Sequence, residues 1–414
     1  MHHRETSASE SATTPLWRNR DYLLIASGGT VSELGTQVSH LAFPLLLLLL
    51  TGSPAQAGLA GALRAVPYVL MALPAGALVD RWNRRTVMLL CDTGRALALA
   101  SIPIAAAFHV LTLPQLYLLA FVEGVLGVVF EIAALAALPR VVSSRQLPQA
   151  TAWMLAGGGG AALAGPPLGG LLYGVNIALP FLADAVSYAC SVVALLFVRV
   201  PLQHERIAER EPLAREIRAG LVWLWSKPVI RMLALLSGLL NMVTPGASAL
   251  LVIVLARQQD APPPLIGLIF AGVGVGYILG SFVAAVIQRW LAFRIVMIAS
   301  CWLFALIWGC FAFALHNLAL LALVSALFAF IDPIYDITQF TYRMVLIPDA
   351  LQGRVNSAYR VIARATPPIG LALAGVLLQR AGALATIAVL GVFLLGMAIL
   401  ASASRAIRTA PAQG

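Results

Sequence analysis

Apolar runs of about 20 residues recur from one end of this chain to the other, and they constrain its fold more than any other feature. An α-helix needs roughly 20 apolar residues to cross the hydrocarbon core of a bilayer. The 414-residue chain is 60% hydrophobic and only 11% charged, whereas soluble domains carry about 25% charged residues. So few polar groups cannot cover a globular surface in water. We therefore predict an all-α membrane protein.

The runs predict twelve transmembrane helices in two bundles of six. The predicted spans are Tyr22–Leu50, Gly58–Val79, Thr86–Phe108, Pro114–Leu138, Leu147–Tyr173, Ile177–Val198, Val229–Leu255, Leu265–Ile287, Phe293–Leu315, Leu318–Val345, Asn356–Leu378 and Leu384–Ser402. The longest connection divides them into equal halves. The predicted divisions are a tail over 1–21, bundles over 22–198 and 229–404, a linker over 199–228 and a tail over 405–414.

The linker carries charged residues and an apolar pattern. Leu213, Ile217, Leu221 and Trp225 recur every four residues, which places them on one helix face. We expect an amphipathic helix lying on the inner leaflet of the membrane.

The net charge of +10 follows the connections between spans. Arginines cluster in both tails and in the connections after spans 2 and 4, and they are sparse in the alternate connections. Positively charged connections stay on the cytoplasmic side. We expect both termini to be cytoplasmic in a bacterial inner membrane, and we attribute the charge to orientation and not to nucleic acid.

The connection between spans 2 and 3 combines one acid with several arginines. Its distinctive residues are Gly76, Asp80, Arg81, Arg84 and Arg85. Orientation explains the arginines but not Gly76 or Asp80. The stretch resembles the signature loop of the major facilitator superfamily, G-x-L-x-D-R-x-G-R-R, with Asn83 at the usual glycine position. Because asparagine tolerates a left-handed backbone, we expect the turn to survive.

Predicted helix 5 contains Gly165, Pro166, Gly169 and Gly170. One interpretation is a kinked, closely packed helix. The other is a resemblance to the antiporter motif of drug-exporting facilitators. The stretches Leu50–Gly58, Leu138–Arg140 and Pro348–Val355 also resemble the subfamily of macrolide and enterobactin exporters.

The resemblance implies the major facilitator fold and secondary active export of small amphipathic molecules by proton antiport and alternating access. It also implies that helices 1, 4, 7 and 10 line a central cavity. One departure concerns helix 1, where the subfamily often has an acid after a glycine. Here Thr36 follows Gly35, and Glu33 lies three residues earlier, which leaves proton coupling in helix 1 open.

Acids within the spans are candidates for proton coupling, because ionisable groups in a membrane are costly and usually face a wet interior. Glu33, Glu123 and Asp332 lie nearest the midplane by helical rise. Glu131, Asp184 and Asp336 are further candidates within the spans.

Two like-charged pairs predict a contact between helices 10 and 11. Asp332 and Asp336 are four residues apart, as are Arg360 and Arg364, so each pair shares a helix face. We expect Asp336 to pair with Arg360 or Arg364. These three residues form either a cytoplasmic gate or a static ion pair.

Other functions lack their usual sequence features. The chain has no G-x-x-x-x-G-K-[ST] motif, and no metal-ligand cluster or nucleophile constellation is visible. We expect no enzymatic activity, cofactor or metal, and a monomer that binds a small-molecule substrate and protons within the lipid bilayer. The alternatives are a siderophore or lysolipid transporter, a non-transporting membrane sensor or scaffold, and a membrane-embedded enzyme.

Overall fold

The structure, a computed structural model, describes residues 15–203, 213–244, 246–348 and 351–410. Within those ranges the regular elements are helical. The α-helices are α1 (Arg20–Thr51), α2 (Pro54–Arg81), α3 (Arg84–Ala107), α4 (Leu113–Val141), α5 (Leu147–Val175), α6 (Leu179–Leu196), α7 (Leu213–Ser226), α8 (Pro228–Val243), α9 (Gly246–Gln258), α10 (Pro263–Trp290), α11 (Phe293–Cys310), α12 (Leu318–Leu346), α13 (Gln352–Arg364), α14 (Pro367–Arg380), α15 (Gly382–Ala403) and α16 (Arg405–Arg408).

Ten helical segments of the described chain are long and apolar enough to cross a membrane. They comprise α1, α3, α4, α6, α8 with α9, α10, α11 with the turn after it, α12, α13 with α14, and α15. Helices α2 and α5 have 28 and 29 residues and pack against members of this set. The prediction of an all-α membrane protein is confirmed.

The helices pack mainly within two groups, α1–α6 and α8–α15. In the first group α1 packs against α5 and α6, and α4 packs against α2 and α3. In the second, α12 packs against α10 and α11, and α8 and α9 pack against α13 and α14. The groups meet along two seams, which we call the α2–α14 seam and the α5–α10 seam.

The two ends of the helical assembly differ in charge. We call the end with Arg20 and Arg84 the basic end, and the end with Ser53 and Pro263 the opposite end. This naming follows the start and finish of the helices, since α1 begins at Arg20 and α2 begins just after Ser53.

Both seams are tightest near the opposite end, where glycines face each other. A Cβ on Gly58 of α2 would lie 3.0 Å from the Cα of Gly375 of α14. A Cβ on Gly170 of α5 would lie 3.1 Å from the Cα of Gly267 of α10. Small residues permit such close backbone approach.

The α5–α10 seam separates toward the basic end. Leu163 of α5 still reaches Gly274 of α10, but no residue of α5 between 151 and 160 is buried. A methyl group on Gly158, Gly159 or Gly160 would meet nothing within 4 Å. The two groups of helices therefore enclose a cleft that opens to the basic end.

Two predicted spans each consist of two helices, although each remains one membrane-crossing segment. The seventh predicted span divides into α8 and α9, and the eleventh into α13 and α14. Pro367 begins α14, and the helical conformation is disfavoured for the residue before a proline. Two hydrogen bonds join α8 to the junction between α13 and α14. Asn241 donates to the Ala363 carbonyl at 2.9 Å, and Thr366 donates to the Gly238 carbonyl at 2.5 Å.

A helix occupies the second part of the linker, as the four-residue spacing predicts. It is α7, which packs against α13 and α8. Leu224 is buried, whereas Leu221 and Trp225 are exposed. The side chains of Leu213 and Ile217 lie outside the described part, as do residues 204–212. Contact of α7 with a membrane surface stays a prediction.

Candidate functional site

An ion pair between a part-buried arginine and a buried acid joins α2 to α4. Arg64 Nη2 lies 2.6 Å from Glu123 Oε1, and Glu123 is only 2% exposed. The helices approach closely beside it, since a methyl group on Gly124 would overlap the Arg64 carbonyl oxygen. Glu123, a predicted proton-coupling residue, is thus neutralised by a cation on the neighbouring helix.

A second arginine lies between three helices. Arg95 of α3 is 7% exposed, and its guanidinium lies 4.0 Å from the ring centroid of Tyr188 of α6. Its Nη2 donates to Thr36 Oγ1 of α1 at 3.4 Å, and its Nη1 lies 3.6 Å from Asp92 Oδ1. A desolvated cation over an aromatic ring is favourable, which helps to hold this charge in the bundle.

Asp184 of α6 is fully buried and accepts hydrogen bonds from hydroxyl groups. Ser39 of α1 donates to Oδ2 at 2.5 Å, and Ser187 donates to Oδ1 at 3.3 Å. Gly35 permits this contact, because a Cβ there would lie 2.6 Å from Asp184 Oδ1. Asp184 therefore ties α6 to α1.

Together these groups form what we call the charge cluster, with electrostatic contacts among its members. Its members are Arg64, Asp92, Arg95, Glu123 and Asp184. If every group were ionised, three carboxylates would face two guanidiniums, leaving a net charge of −1. Buried charges need compensation, so the cluster can take up one proton at small electrostatic cost.

The sequence interpretation missed Arg64, Arg95 and Asp92 as site residues. The signal was present, because Arg64 lies within the second predicted span and Asp92 and Arg95 lie within the third. A lone ionisable residue within an apolar run marks a functional position regardless of its sign. The interpretation considered most of the acids, but it left out Asp92 and the two arginines.

Helix α1 carries further polar groups near the cluster. Glu33 is half-buried and accepts a hydrogen bond from Gln37 at 2.7 Å. His40 is solvent-accessible although Arg64 and Arg95 lie close to it, so its imidazole faces the interior of the first group. The structure places Glu33 outside the charge cluster, and a role for Glu33 in proton coupling stays a prediction.

The predicted contact between helices 10 and 11 is not formed in this conformation. Among the described residues, Asp336 has no arginine nitrogen within 4 Å. Arg364 instead lies over the ring of Tyr68 of α2, 4.6 Å from its centroid, and Arg360 is exposed. Asp332 is half-buried. The cleft is open at this end, so a gate made by Asp336, Arg360 and Arg364 stays a prediction for the other state.

The buried cation at this end of the second group is Arg343. It is 4% exposed, lies 3.6 Å from the ring centroid of Tyr359, and donates to Gln339 at 3.3 Å. Tyr359 also donates to Gln339 at 2.8 Å and contacts Ser237 at 2.6 Å. These contacts fasten α13 to α12 and α8.

The signature loop forms a compact turn between α2 and α3. Arg84 donates to the carbonyls of Ala136 and Leu202, and Arg85 to those of Leu195 and Leu196. Arg85 thus binds the end of α6, where the carbonyl groups lack partners within the helix, and Arg84 joins α4 to the segment after α6. Arg81 is exposed, and the side chains of Gly76 and Asp80 lie outside the described part.

Asn83 corrects one expectation. Its backbone is extended, with φ −64° and ψ 116°, and its side chain caps α3 by accepting from the amides of Arg85 and Thr86. Asparagine is a favoured N-cap residue. The turn therefore needs no left-handed backbone at this position, and the asparagine serves as a helix cap.

The glycines of the antiporter-like motif lie at helix contacts. A methyl group on Gly165 would overlap the side chain of Gln37, and one on Gly169 would lie 3.2 Å from the Cα of Val38. Gly170 faces α10 across the seam, and Pro166 supplies a carbonyl oxygen that faces Gly267. Close packing of α5 is confirmed, and an antiport role stays a prediction.

The Major Facilitator Superfamily model matches residues 25–254 of this chain. The chain belongs to the major facilitator superfamily. This confirms the resemblance of the signature loop, and the protein is a membrane transporter of that superfamily.

Known relatives and solved structures agree with this assignment. The chain is 28% identical over 402 residues to the multidrug efflux pump Tap of Mycolicibacterium fortuitum, which covers 92% of this chain and 94% of that protein. It is 26% identical over 340 residues to the enterobactin exporter EntS of Citrobacter koseri, covering 81% of this chain and 79% of that protein.

The fold also matches a solved facilitator. A bacterial homologue of the human lysosomal transporter Spinster, in an inward-facing and occupied conformation, has a TM-score of 0.73 at 15% identity. The match covers 94% of this chain and 98% of that chain. At this identity the likeness concerns the fold alone.

Proposed function

We propose that this facilitator exports small amphipathic organic molecules in exchange for protons. The observation that carries the proposal is the charge cluster, which holds three carboxylates and two guanidiniums within the first group of helices. A purely structural ion network would be complete with paired charges. An unequal number of acids and bases allows a proton to bind and leave.

We further propose twelve transmembrane spans, made by the ten apolar segments together with α2 and α5. The bundles over 22–198 and 229–404 then rock about the two seams, which is the usual alternating access of this architecture. The basic end is cytoplasmic in this proposal, because arginine-rich connections stay inside. The cleft would admit substrate from the cytoplasm.

The proton-coupling candidates are Glu33, Glu123 and Asp332, and the structure adds the other members of the charge cluster. Glu123 is the best supported of the three, because it is buried against Arg64.

The test uses ethidium, a fluorescent amphipathic cation, as the transport probe in everted membrane vesicles that contain the full chain. Acidification of the vesicle lumen should drive ethidium uptake, and nigericin, which collapses the pH gradient, should abolish it. Vesicles with Glu123→Gln should lose gradient-driven uptake, while Glu131→Gln, at an exposed acid of the same helix, should keep it. Uptake that is indifferent to nigericin would refute proton exchange.

A second candidate function is siderophore export, which the similarity to the enterobactin exporter EntS favours. Cells that produce enterobactin but lack their own exporter would secrete it again when this chain is expressed. Restored secretion without ethidium export would replace the multidrug proposal by the siderophore one.

A further inference from the structure

Asp92 of α3 differs from the other acids of the charge cluster in lacking hydrogen bonds. It is 0% exposed, and neither of its carboxylate oxygens has a hydrogen-bonding partner among the described residues. Its nearest ion-pair partner, Arg95, lies 3.6 Å away, beyond the usual length of a charge-assisted hydrogen bond. The Ser191 hydroxyl of α6 interacts with the carboxylate, but this contact falls short of a well-formed hydrogen bond.

The other two acids are satisfied. Glu123 pairs with Arg64 at 2.6 Å, and Asp184 accepts from two serine hydroxyls. An ionised carboxylate that is buried without hydrogen bonds is strongly disfavoured relative to its neutral form. The surplus acid of the cluster is therefore the one with the poorest surroundings for a negative charge.

We propose that Asp92 holds the surplus proton of the charge cluster in the conformation described here, with the other members of the cluster balancing one another. One proton on Asp92 leaves two carboxylates and two guanidiniums, so the cluster is neutral. The arrangement explains why Arg95 directs its guanidinium at Tyr188 and Thr36 and does not form a close pair with the acid one turn before it.

The groups around Asp92 come from α3 itself and from the helices packed against it. Cys91 and Arg95 of α3 and Ser191 of α6 face Asp92 itself. Tyr188 and Asp184 of α6 and Glu123 of α4 interact with Arg95, and Arg64 of α2 interacts with Asp184. Arg95 is the member that can change partner, because its Nε has no hydrogen bond among the described residues. Moving its guanidinium by less than about 1 Å toward Asp92 would create a direct, charge-assisted contact.

Release of the proton then requires no other reactant. Asp92 is 0% exposed in this conformation, so release follows a helix movement that admits water to it. The O–H bond of Asp92 then breaks, the proton passes to that water, and the carboxylate left behind is neutralised by Arg95. An exporter driven by proton entry reaches its cytoplasm-facing state with the proton still bound, which is the state assigned to Asp92 here. This coupling role rests on the proton exchange proposed above, whereas the protonation of Asp92 does not.

The test is infrared spectroscopy of the purified full chain in lipid, which detects the carbonyl stretch of a protonated carboxyl group without any substrate. We expect Asp92→Asn to remove one such band and Glu131→Gln to leave it in place. A spectrum of Asp92→Asn that keeps every protonated-carboxyl band of the unaltered protein would overturn the proposal.

Stability gives a second, independent readout. If Asp92 is neutral, asparagine replaces it at nearly equal size and the unfolding temperature stays within a few degrees of the unaltered protein. If Asp92 is the ionised partner of Arg95, asparagine strands a buried cation and the protein unfolds much earlier or fails to fold. Either of those last results would also overturn the proposal.

Transport separates this inference from the proposed function. Asp92→Asn should still carry ethidium down its own gradient but should lose about tenfold or more of the gradient-driven accumulation. Full accumulation in this variant would refute the coupling role of Asp92 alone. If vesicles with the unaltered protein accumulate ethidium to the same level with and without the pH gradient, proton exchange is refuted. The infrared result for Asp92 would still stand.

Discussion

At the scale of single residues, Glu123 and Asp332 have similar sequence contexts but different surroundings. Each is an acid within an apolar helix, and both were predicted to couple protons because of their depth in the membrane alone. Glu123 is buried against Arg64, while Asp332 is half-buried and has no arginine nitrogen within 4 Å among the described residues. Depth along a helix follows from the helical rise, but a partner on another helix depends on rotation and packing.

The Arg64–Glu123 pair leads to a stability prediction. Glu123→Gln should leave Arg64, which is part-buried, as a cation without a close partner, and it should cost up to about 3 kcal/mol of stability. The double variant Arg64→Gln with Glu123→Gln should recover most of that loss, because neither charge is left alone. Thermal unfolding of the purified proteins measures both changes. Additive losses in the double variant would show that the two residues do not act as a pair.

A second residue-scale prediction concerns the signature loop. We expect Asp80→Asn to lower ethidium export while leaving the amount of folded protein in the membrane little changed. The reason is that the carboxylate is expected to hold one conformational state at the end of α2, near arginines that bind backbone carbonyl groups. Transport assays with protein quantified by fluorescence detection would check this, with Glu131→Gln as control. Undiminished export would show that the charges of the loop serve only to orient the protein in the membrane.

The residues of the candidate site could be predicted only in part. Glu123 and Asp184 were visible as acids in apolar runs, and Arg64, Asp92 and Arg95 carried the same signal. What the sequence could not supply was that they meet, because the contact joins helices far apart in the chain. Arg64 and Glu123, for example, are 59 positions apart.

At the scale of the elements, proline content predicted the helix breaks poorly. Pro44, Pro103 and Pro333 lie inside continuous helices, whereas the breaks fall before Gly246 and Pro367. The difference lies in tertiary contacts. Asn241 and Thr366 supply hydrogen bonds at the break between α13 and α14, and such partners cannot be identified from local sequence. The positions of most helices, by contrast, followed from apolar run length.

The glycines of α5 provide a matched pair for testing the seam. Gly170→Ala should cost about 1–3 kcal/mol, because the new methyl group would overlap the Pro263 carbonyl oxygen. Gly159→Ala, on the same helix, meets nothing within 4 Å and should stabilise the protein by about 0.4–1 kcal/mol. Thermal unfolding distinguishes the two signs. Equal effects would show that α5 and α10 are not in close contact at Gly170.

At the scale of the whole molecule, orientation is the property that the helices alone do not decide. The alternating arginine content of the connections predicts that both termini and the 199–228 linker lie in the cytoplasm. Alkaline phosphatase and green fluorescent protein fused after Gln203 and after Gly414 should both report an inside location. An outside result at either position would overturn the twelve-span topology.

The closure of the opposite end leads to a transport prediction. Ser53 and Gln379 share a hydrogen bond across the α2–α14 seam. In a variant without the four native cysteines, Ser53→Cys with Gln379→Cys should form a disulfide that stops ethidium export, and a reductant should restore it. The single substitutions serve as controls. Export that continues with the disulfide formed would show that this end need not open.

The placement of the glycine contacts also determines how far the other end of each helix moves when the two groups rotate. Gly58 lies near the start of α2, so about 23 residues, or roughly 35 Å of helix, extend from that contact to the far end. A rigid-body rotation of about 15° around such a fulcrum sweeps the far end through about 9 Å. Glycine contacts have no side chains that interlock, so two helices can rotate about them without repacking side chains. In the proposed rocking, a small displacement near Gly58 would therefore open a gap at the basic end that is wide enough for an organic molecule.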